Sequence, residues 1–442
     1  MAAYAEPVTD ADRAFLAMDT GSVPVQFAAV LELDRRLDPA LVTRLLAERV
    51  PRTRRLTQRI AARGPVRGPV WQDDGSFTVA RHLEVRSCPP PGDGPALTSV
   101  AMELVMRRLP RDRPLWRAAL VDGLAGGGSA LILVVHHVVA DGINGLALLA
   151  ELADGPDPGP APEPGSPAAP VRRTARLRRL VPAMVAAGGL APDRAEPCSL
   201  TGRTGPDRQA AVVSAAVPGL RATAHRHGAT VHAALLVAVA NTLHRVLAGR
   251  GESVGSVVIA VPVAGDHGGP GSPGTVASPM LVTAAAGGSA AERLRAVAED
   301  VRRRRALAAG PAPVALLGRS FRLFARLGGY GWYMRRQRRL HTLVSFIRGP
   351  DRPLRFGGAT VRRLIPLVVG GETNLTVTFQ AISYAGTLAV TAVADPRACP
   401  DLPVLGAYLA EELALLGGAG PPGPPGATIG PGSGQGARAQ SE

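Results

Sequence analysis

Two adjacent histidines, His136 and His137, close the apolar run Leu131–Val135, and Asp141 and Gly142 follow within one short turn. An imidazole titrates near neutral pH, so it can take a proton from a hydroxyl and hand it on. Neighbouring side chains of a strand point to opposite faces. One of the pair can therefore enter a cleft while the other packs inward. Gly142 permits a backbone conformation that a Cβ would resist. Asp141 is placed to fold back on the histidine turn or to hold a remote arginine. A lone histidine is more often a satisfied core residue. Two imidazoles, an acid and a glycine sharing one sharp turn after a buried strand favour chemistry.

Other candidates carry less. Gly251-Glu252-Ser253-Val254-Gly255 matches G-x-S-x-G, but a nucleophile elbow needs a strand before it and a helix after it, and here that order is reversed. His225, His227 and His232 lack the cysteine or carboxylate that would complete a metal site, and read as solvent-exposed. Gly123–Gly128 fits neither phosphate-binding pattern and reads as a hairpin turn. All 50 basic residues are arginine, so lysine Schiff-base and P-loop chemistry are excluded.

The elements that must position the histidines are mixed. In the first half, Asp12–Met18, Pro39–Val50, Thr98–Leu109 and Gly142–Ala153 read as helices, with Asp38 capping the second. Val25–Leu33, Leu115–Val121 and Ala130–His136 read as strands. In the second half, Pro218–His227, Thr230–Leu247, Ala290–Leu307 and Leu402–Leu416 read as helices. Ala210–Val217, Val257–Val263, Leu343–Ile347, Ala359–Leu367, Leu375–Ile382 and Leu388–Val393 read as strands. Helices and strands without strict alternation imply an α/β (α+β) fold of two sandwiches facing each other. Small-molecule sites favour such junctions.

Composition sets bounds. Hydrophobic residues make up 46% of the 442 and charged residues 19%, which excludes a wholly disordered chain. The net charge of +15 comes with 52 glycines and 41 prolines, the signature of a G- and C-rich codon bias. No nucleic-acid-binding motif accompanies it, so no nucleic-acid partner is expected. Cys88, Cys198 and Cys399 lie far apart with no C-x-x-C, which fits a reducing cytoplasm and no metal. The start shows no apolar signal region, and the longest apolar runs, such as Ala233–Ala240, fall short of a bilayer span. Asp154–Pro170 and Gly417–Glu442 are Pro/Gly-rich and read as disordered. The expected organisation is 1–153, a Pro/Arg-rich linker over 154–205, a second subdomain over 206–416, and a tail over 417–442.

His136-His137-Val138-Val139-Ala140-Asp141-Gly142 resembles the HHxxxDG motif of the chloramphenicol acetyltransferase-like superfamily. The surroundings are similar to one branch, the bacterial wax ester synthase/diacylglycerol acyltransferases. Pro114-Leu115-Trp116 resembles that family's PLW segment. Phe15-Leu16 with Asp19, Pro51–Ile60 and Trp71-Gln72-Asp73-Asp74 resemble its first half; Val344-Ser345 with Gly349-Pro350, and Ser383-Tyr384 with Gly386, resemble its second. Two departures stand out. Thr230-Val231-His232-Ala233 occupies the place of an Asn-Asp pair, and Pro262-Val263-Ala264-Gly265-Asp266 lacks an expected strand arginine.

The resemblance implies two chloramphenicol acetyltransferase-like subdomains across a cleft or tunnel. It implies acyl transfer from acyl-CoA, a co-substrate, to a long-chain alcohol or diacylglycerol, with no cofactor. His137 is implied as general base, His136, Asp141 and Gly142 as its structural support, and Pro114, Leu115, Trp116 and Ser345 as substrate contacts. A condensation-type acyltransferase of secondary metabolism using a carrier-protein or CoA thioester, and a non-catalytic lipid-binding descendant, are the alternatives. Phe321, Phe324, Tyr330, Trp332 and Tyr333 sit just before Arg335, Arg336, Arg338 and Arg339. That suits either a membrane-surface helix or tunnel wall, or a core helix with a solvated basic end. Arg172, Arg173, Arg176, Arg178 and Arg179 form a second basic cluster. A cytoplasmic protein, peripheral on the inner membrane or lipid droplets, is expected.

Overall fold

A computed structural model describes residues 5–62, 68–140, 142–155, 195–263, 278–307 and 322–418. Asp141, Phe321, the basic cluster 172–179, most of the 154–205 linker, Ala264-Gly265-Asp266 and the tail beyond 418 lie outside them. In chain order the first part contains β1 (Ala5–Pro7), α1 (Asp10–Met18), β2 (Val25–Leu33), α2 (Pro39–Arg49), β3 (Gln58–Ala62), β4 (Pro69–Asp73), β5 (Leu83–Ser87), α3 (Gly94–Met106), β6 (Trp116–Asp122), β7 (Ala130–His136) and α4 (Gly142–Leu152). The second contains β8 (Gln209–Ala216), α5 (Val217–Arg226), α6 (Val231–Gly249), β9 (Ser256–Val263), β10 (Ser278–Ala285), α7 (Ala290–Leu307), α8 (Gly329–Met334), β11 (Thr342–Arg348), β12 (Arg355–Phe356), β13 (Ala359–Gly370), β14 (Val377–Tyr384), β15 (Thr387–Ala394) and α9 (Leu402–Leu416).

Local chemistry sets many of these boundaries. The Thr9 hydroxyl accepts from the Asp12 amide and the Asp12 carboxylate accepts from the Thr9 amide, a reciprocal cap that starts α1. Asp38 accepts from Ala40 N–H ahead of Pro39 and starts α2 as its sequence foretold. Ser289 and Glu292 cap α7 in the same reciprocal way. Ala385 and Gly386 both take positive φ, 46° and 81°, the turn that matches strand twist and joins β14 to β15.

Two six-stranded sheets form the two lobes, in the orders β12-β13-β2-β7-β6-β5 and β10-β9-β11-β14-β15-β8. A small sheet, β1-β4-β3, flanks the first. β12 and β13 lie in the 206–416 stretch of the chain yet complete the first sheet, with Val368 opposite Phe27 and Val369 opposite Gln26. The lobes therefore interlock rather than meet at a single cut. β13 also packs against β14 and β15 of the other sheet. The Tyr384 hydroxyl fastens this junction: it donates to Val361 O (2.8 Å) and accepts from Leu354 N–H (2.7 Å).

Apolar burial holds each lobe. β7 is buried at every position, as a central strand covered on both faces must be. α6, 19 residues long, is apolar enough to cross a bilayer by length and composition, but it is buried in the second lobe against β9, β10, α7 and α9. Its Leu235, Leu236, Val239 and Leu243 belong to that lobe's core. At about 25 cal/mol per Å² of apolar area removed from water, such helices supply much of the folding drive.

Candidate active site

His136 and His137 part company at the end of β7. The His136 N–H donates to Leu115 O (3.1 Å) and the His137 N–H to Val25 O (3.2 Å), which ties the strand end to β6 and β2. The His136 ring then points into the first lobe and is 3% exposed. Its Nδ1 accepts the Val138 N–H (3.0 Å), so the ring proton sits on Nε2. That Nε2 donates to Asp19 Oδ2 at 3.3 Å. Both ring nitrogens are thus engaged, and His136 has none left for a substrate.

Asp19 is the hub of this frame. It is the residue that ends α1, its N–H donating to Phe15 O (3.1 Å). Its carboxylate accepts from Val25 N–H (3.1 Å), from Arg111 (2.8 Å) and from Arg108. Burial pushes the carboxyl up, but the hydrogen bonds from His136, Arg108 and Arg111 outweigh it and hold it well below the usual carboxylate range. Gln26, fully buried, donates to Val105 O (2.6 Å) and Arg107 O (3.1 Å), pinning the end of α3 to β2. The frame thus joins α1, α3, β2 and β7 around one histidine.

His137 faces the other way and stays half-buried. Its ring stacks on Phe15 of α1, with centroids 5.7 Å apart and planes at 11°, and meets Phe27 of β2 at 5.2 Å. Among the described residues no hydrogen bond engages it. Burial, with a smaller contribution from neighbouring His136, pushes its pKa down to about 4. At neutral pH the ring is uncharged, with a free lone pair. Gly142 opens α4 five residues later in the chain.

The surrounding strands divide into a sealed face and a half-buried one. Along β2, Ala28 and Val30 are sealed in the core, whereas Phe27 and Ala29 on the opposite face are half-buried. Their partners on β13, Val368 and Pro366, are half-buried too, while Ile365, Leu367 and Val369 are sealed. Central strands rarely leave one face open unless something lies beside them. Ser345 and Ile347 of β11 are likewise half-buried, and alternation places them on the face opposite sealed Val344. A groove of about 460 Å³ lies beside α4, lined by Leu146, Ala147 and Ala150 and, from the end of β11, by Arg348, Gly349 and Pro350.

Several sequence expectations change. Pro114, Leu115 and Trp116 were expected to touch substrate, and the structure seals them instead, Leu115 and Trp116 at 2% and 1% exposure. Trp116 stacks on His82 at 4.4 Å and donates through Nε1 to Leu56 O (2.8 Å). Leu115 supplies the carbonyl that holds His136, so this segment positions the histidine turn from below. His232 is not solvent-exposed: its ring stacks on Phe346 at 5.5 Å and its Nε2 is buried with no hydrogen-bond partner among the described residues. Sequence reasoning noted Asp19 without giving it a role. Its contact with His136 spans 117 positions, and the only local signal was an acid ending a capped helix.

Comparison with known proteins agrees with this architecture. The chain matches the wax ester synthase/diacylglycerol acyltransferase catalytic domain over residues 8–190 and the WS/DGAT C-terminal domain over 274–417. A Mycobacterium tuberculosis protein provisionally named a diacylglycerol O-acyltransferase is 26% identical over 444 residues, covering 90% of this chain and 87% of that protein. Among solved structures, the wax ester synthase/diacylglycerol acyltransferase of Marinobacter aquaeolei superposes with a TM-score of 0.68 at 20% identity, covering 93% of this chain and all of that one. The first condensation domain of the calcium-dependent antibiotic synthetase shares the fold, with a TM-score of 0.63 at 24% identity over 93% of this chain and 96% of its own. The chain belongs to the wax ester synthase/diacylglycerol acyltransferase family and is an acyltransferase.

Proposed function

We propose that this acyltransferase moves a long acyl chain from acyl-CoA to the hydroxyl of a long-chain alcohol or diacylglycerol, with His137 as general base. The observation that carries the reading is the division of labour at the end of β7. His136 is committed to Asp19 and Val138, while His137 is half-buried and uncharged, its ring free of hydrogen bonds among the described residues.

In this reading a ring nitrogen of His137 takes the proton of the acceptor hydroxyl as its oxygen attacks the thioester carbonyl. A tetrahedral oxyanion forms, and the N–H groups of a helix start, such as that of α4, are of the kind that stabilises its charge. The C–S bond then breaks, the ester is released, and the departing thiolate takes the proton from the imidazolium as CoA thiol. Phe15 and Phe27 hold the ring in place and exclude water that would hydrolyse the thioester. The apolar groove beside α4 suits an acyl chain. Acceptors of this kind reside in membranes and lipid droplets, so the chain works at such a surface.

The test is release of CoA thiol from palmitoyl-CoA with hexadecanol or dipalmitoylglycerol, run beside a carrier-protein thioester and an amine acceptor. Acceptor-dependent release from the CoA donor is expected. Release from the carrier thioester alone, or none with any pair, overturns the reading.

A further inference from the structure

The segment over 322–334 leaves the body of the protein with one face in and one face out. Inward, Ala325 and Tyr330 pack on Ala14, Ala17 and Met18 of α1. Outward, Leu323, Phe324, Leu327, Trp332 and Tyr333 are exposed, Leu327 at 78% and Trp332 at 54%. These five stand among eight exposed large hydrophobic side chains of the described residues, and are the only ones that cluster in sequence. Isolated exposed apolar residues need no explanation, but a contiguous patch does.

The charge around the patch points to its partner. Over residues 322–339 the sequence has six arginines and no acid. Arg326, Arg335 and Arg336 are exposed beside the apolar residues, and the Arg336 guanidinium lies 5.3 Å from the Trp332 ring centroid. Gly328, at φ 79°, lets the chain turn between its two helical pieces so that both show apolar side chains outward. Aromatic and aliphatic side chains ringed by arginine match the boundary between anionic headgroups and acyl chains.

We propose that this face docks the protein on an anionic lipid bilayer, with Phe324, Leu327 and Trp332 entering the headgroup boundary and the surrounding arginines meeting lipid phosphates. The docked face is tied to the site by short links. α1 carries Phe15, which stacks on His137, and ends at Asp19. Arg335 pairs with Glu372 at 2.8 Å, and Glu372 accepts from Ser22 N–H (2.6 Å) and Oγ–H (2.8 Å) in the loop that follows α1. A lipid leaving the bilayer at this face is therefore delivered beside the helix that frames the histidine. The choice of a lipid partner rests on the proposed function; the binding itself is read without turnover.

Trp332 makes the test direct. The other two tryptophans, Trp71 and Trp116, are sealed at 0% and 1% exposure, so a change in emission on binding reports position 332. The full chain is mixed with phosphatidylcholine vesicles, and with vesicles containing phosphatidylglycerol, and followed by flotation and tryptophan emission. Binding and a blue shift are expected with the anionic vesicles, weakening as salt rises. Leu327→Glu should cut vesicle binding at least tenfold, leave melting temperature unchanged, and leave CoA release with a soluble short-chain alcohol unchanged. Flotation equal for wild type and Leu327→Glu, or no flotation with either vesicle, overturns the proposal. So does a dimer that Leu327→Glu dissolves, because a second copy would then cover the face. Catalysis without vesicle binding would sink the docking face alone, and vesicle binding without catalysis the proposed function alone.

Discussion

His137 of the first lobe and His232 of the second lobe share several properties. Each ring stacks on a phenylalanine, Phe15 at 11° and Phe346 at 18°. Burial pushes each pKa down to about 4, helped by His136 in one case and by Arg305 in the other. The difference lies in what surrounds them. His137 stands at the end of a strand locked by Asp19, Gln26 and Leu115, beside a sheet face left half-open, and five residues before a helix start. His232 is the second residue of α6, its Nε2 enclosed with no hydrogen-bond partner among the described residues. A depressed pKa marks desolvation in both, and chemistry needs the frame and the opening as well.

The largest expected effect separates these two rings. His137→Ala should lower kcat by about 10²–10⁴-fold, the usual worth of general-base catalysis, with little change in melting temperature. His232→Ala should leave kcat nearly unchanged. Comparable losses in both, measured by CoA release, would mean that the second lobe shares the chemistry.

Next comes the frame. Asp19→Ala strips a buried hub from His136, Val25 N–H, Arg108 and Arg111, and should cost about 1–3 kcal/mol of stability. Denaturant unfolding reads the loss, and kcat should fall with it because α1 and Phe15 shift. Stability unchanged in this variant would show that Asp19 is not the hub. Smaller again is Trp116→Phe, which removes one buried hydrogen bond to Leu56 O and should cost about 1 kcal/mol. KM for acyl-CoA should stay constant in that variant. A raised KM would return Trp116 to the substrate surface from which its burial removes it.

How much the sequence revealed follows the range of the interactions involved. Elements set by local pattern appear where expected: Leu402–Leu416 and Ala290–Leu307 match residue for residue, and Asp38 caps α2. The opposite facing of His136 and His137 follows from strand alternation alone. Short, polar strands carry little signal: Gln58–Ala62, Pro69–Asp73 and Leu83–Ser87 have five residues each and lack a strong apolar signature. The placement of β13 in the first sheet was hidden because its partner β2 lies over 300 positions earlier. Trp116 misled because a motif shared with a family does not say whether its side chains touch substrate or hold up those that do.

The acid limb of kcat/KM tests the central claim most directly, because it reports the ionisation of the free protein's essential base. A histidine's ordinary pKa is 6.5, and burial takes His137 down to about 4. Activity should therefore hold as pH falls through 6.5 and decline only as it approaches 4. Stability responds to the same ionisation. Above 6.5 the ring is neutral whether the chain is folded or not and contributes nothing. Between 6.5 and about 4 the unfolded chain takes up a proton that the folded one refuses, so stability falls with acid over that window. The profile must accordingly be taken as initial rates on protein shown to remain folded. An acid limb near 4 that disappears with residual activity in His137→Ala is the predicted result; a limb at 6.5, or the same limb retained in His137→Ala, would contradict a desolvated His137 as the base.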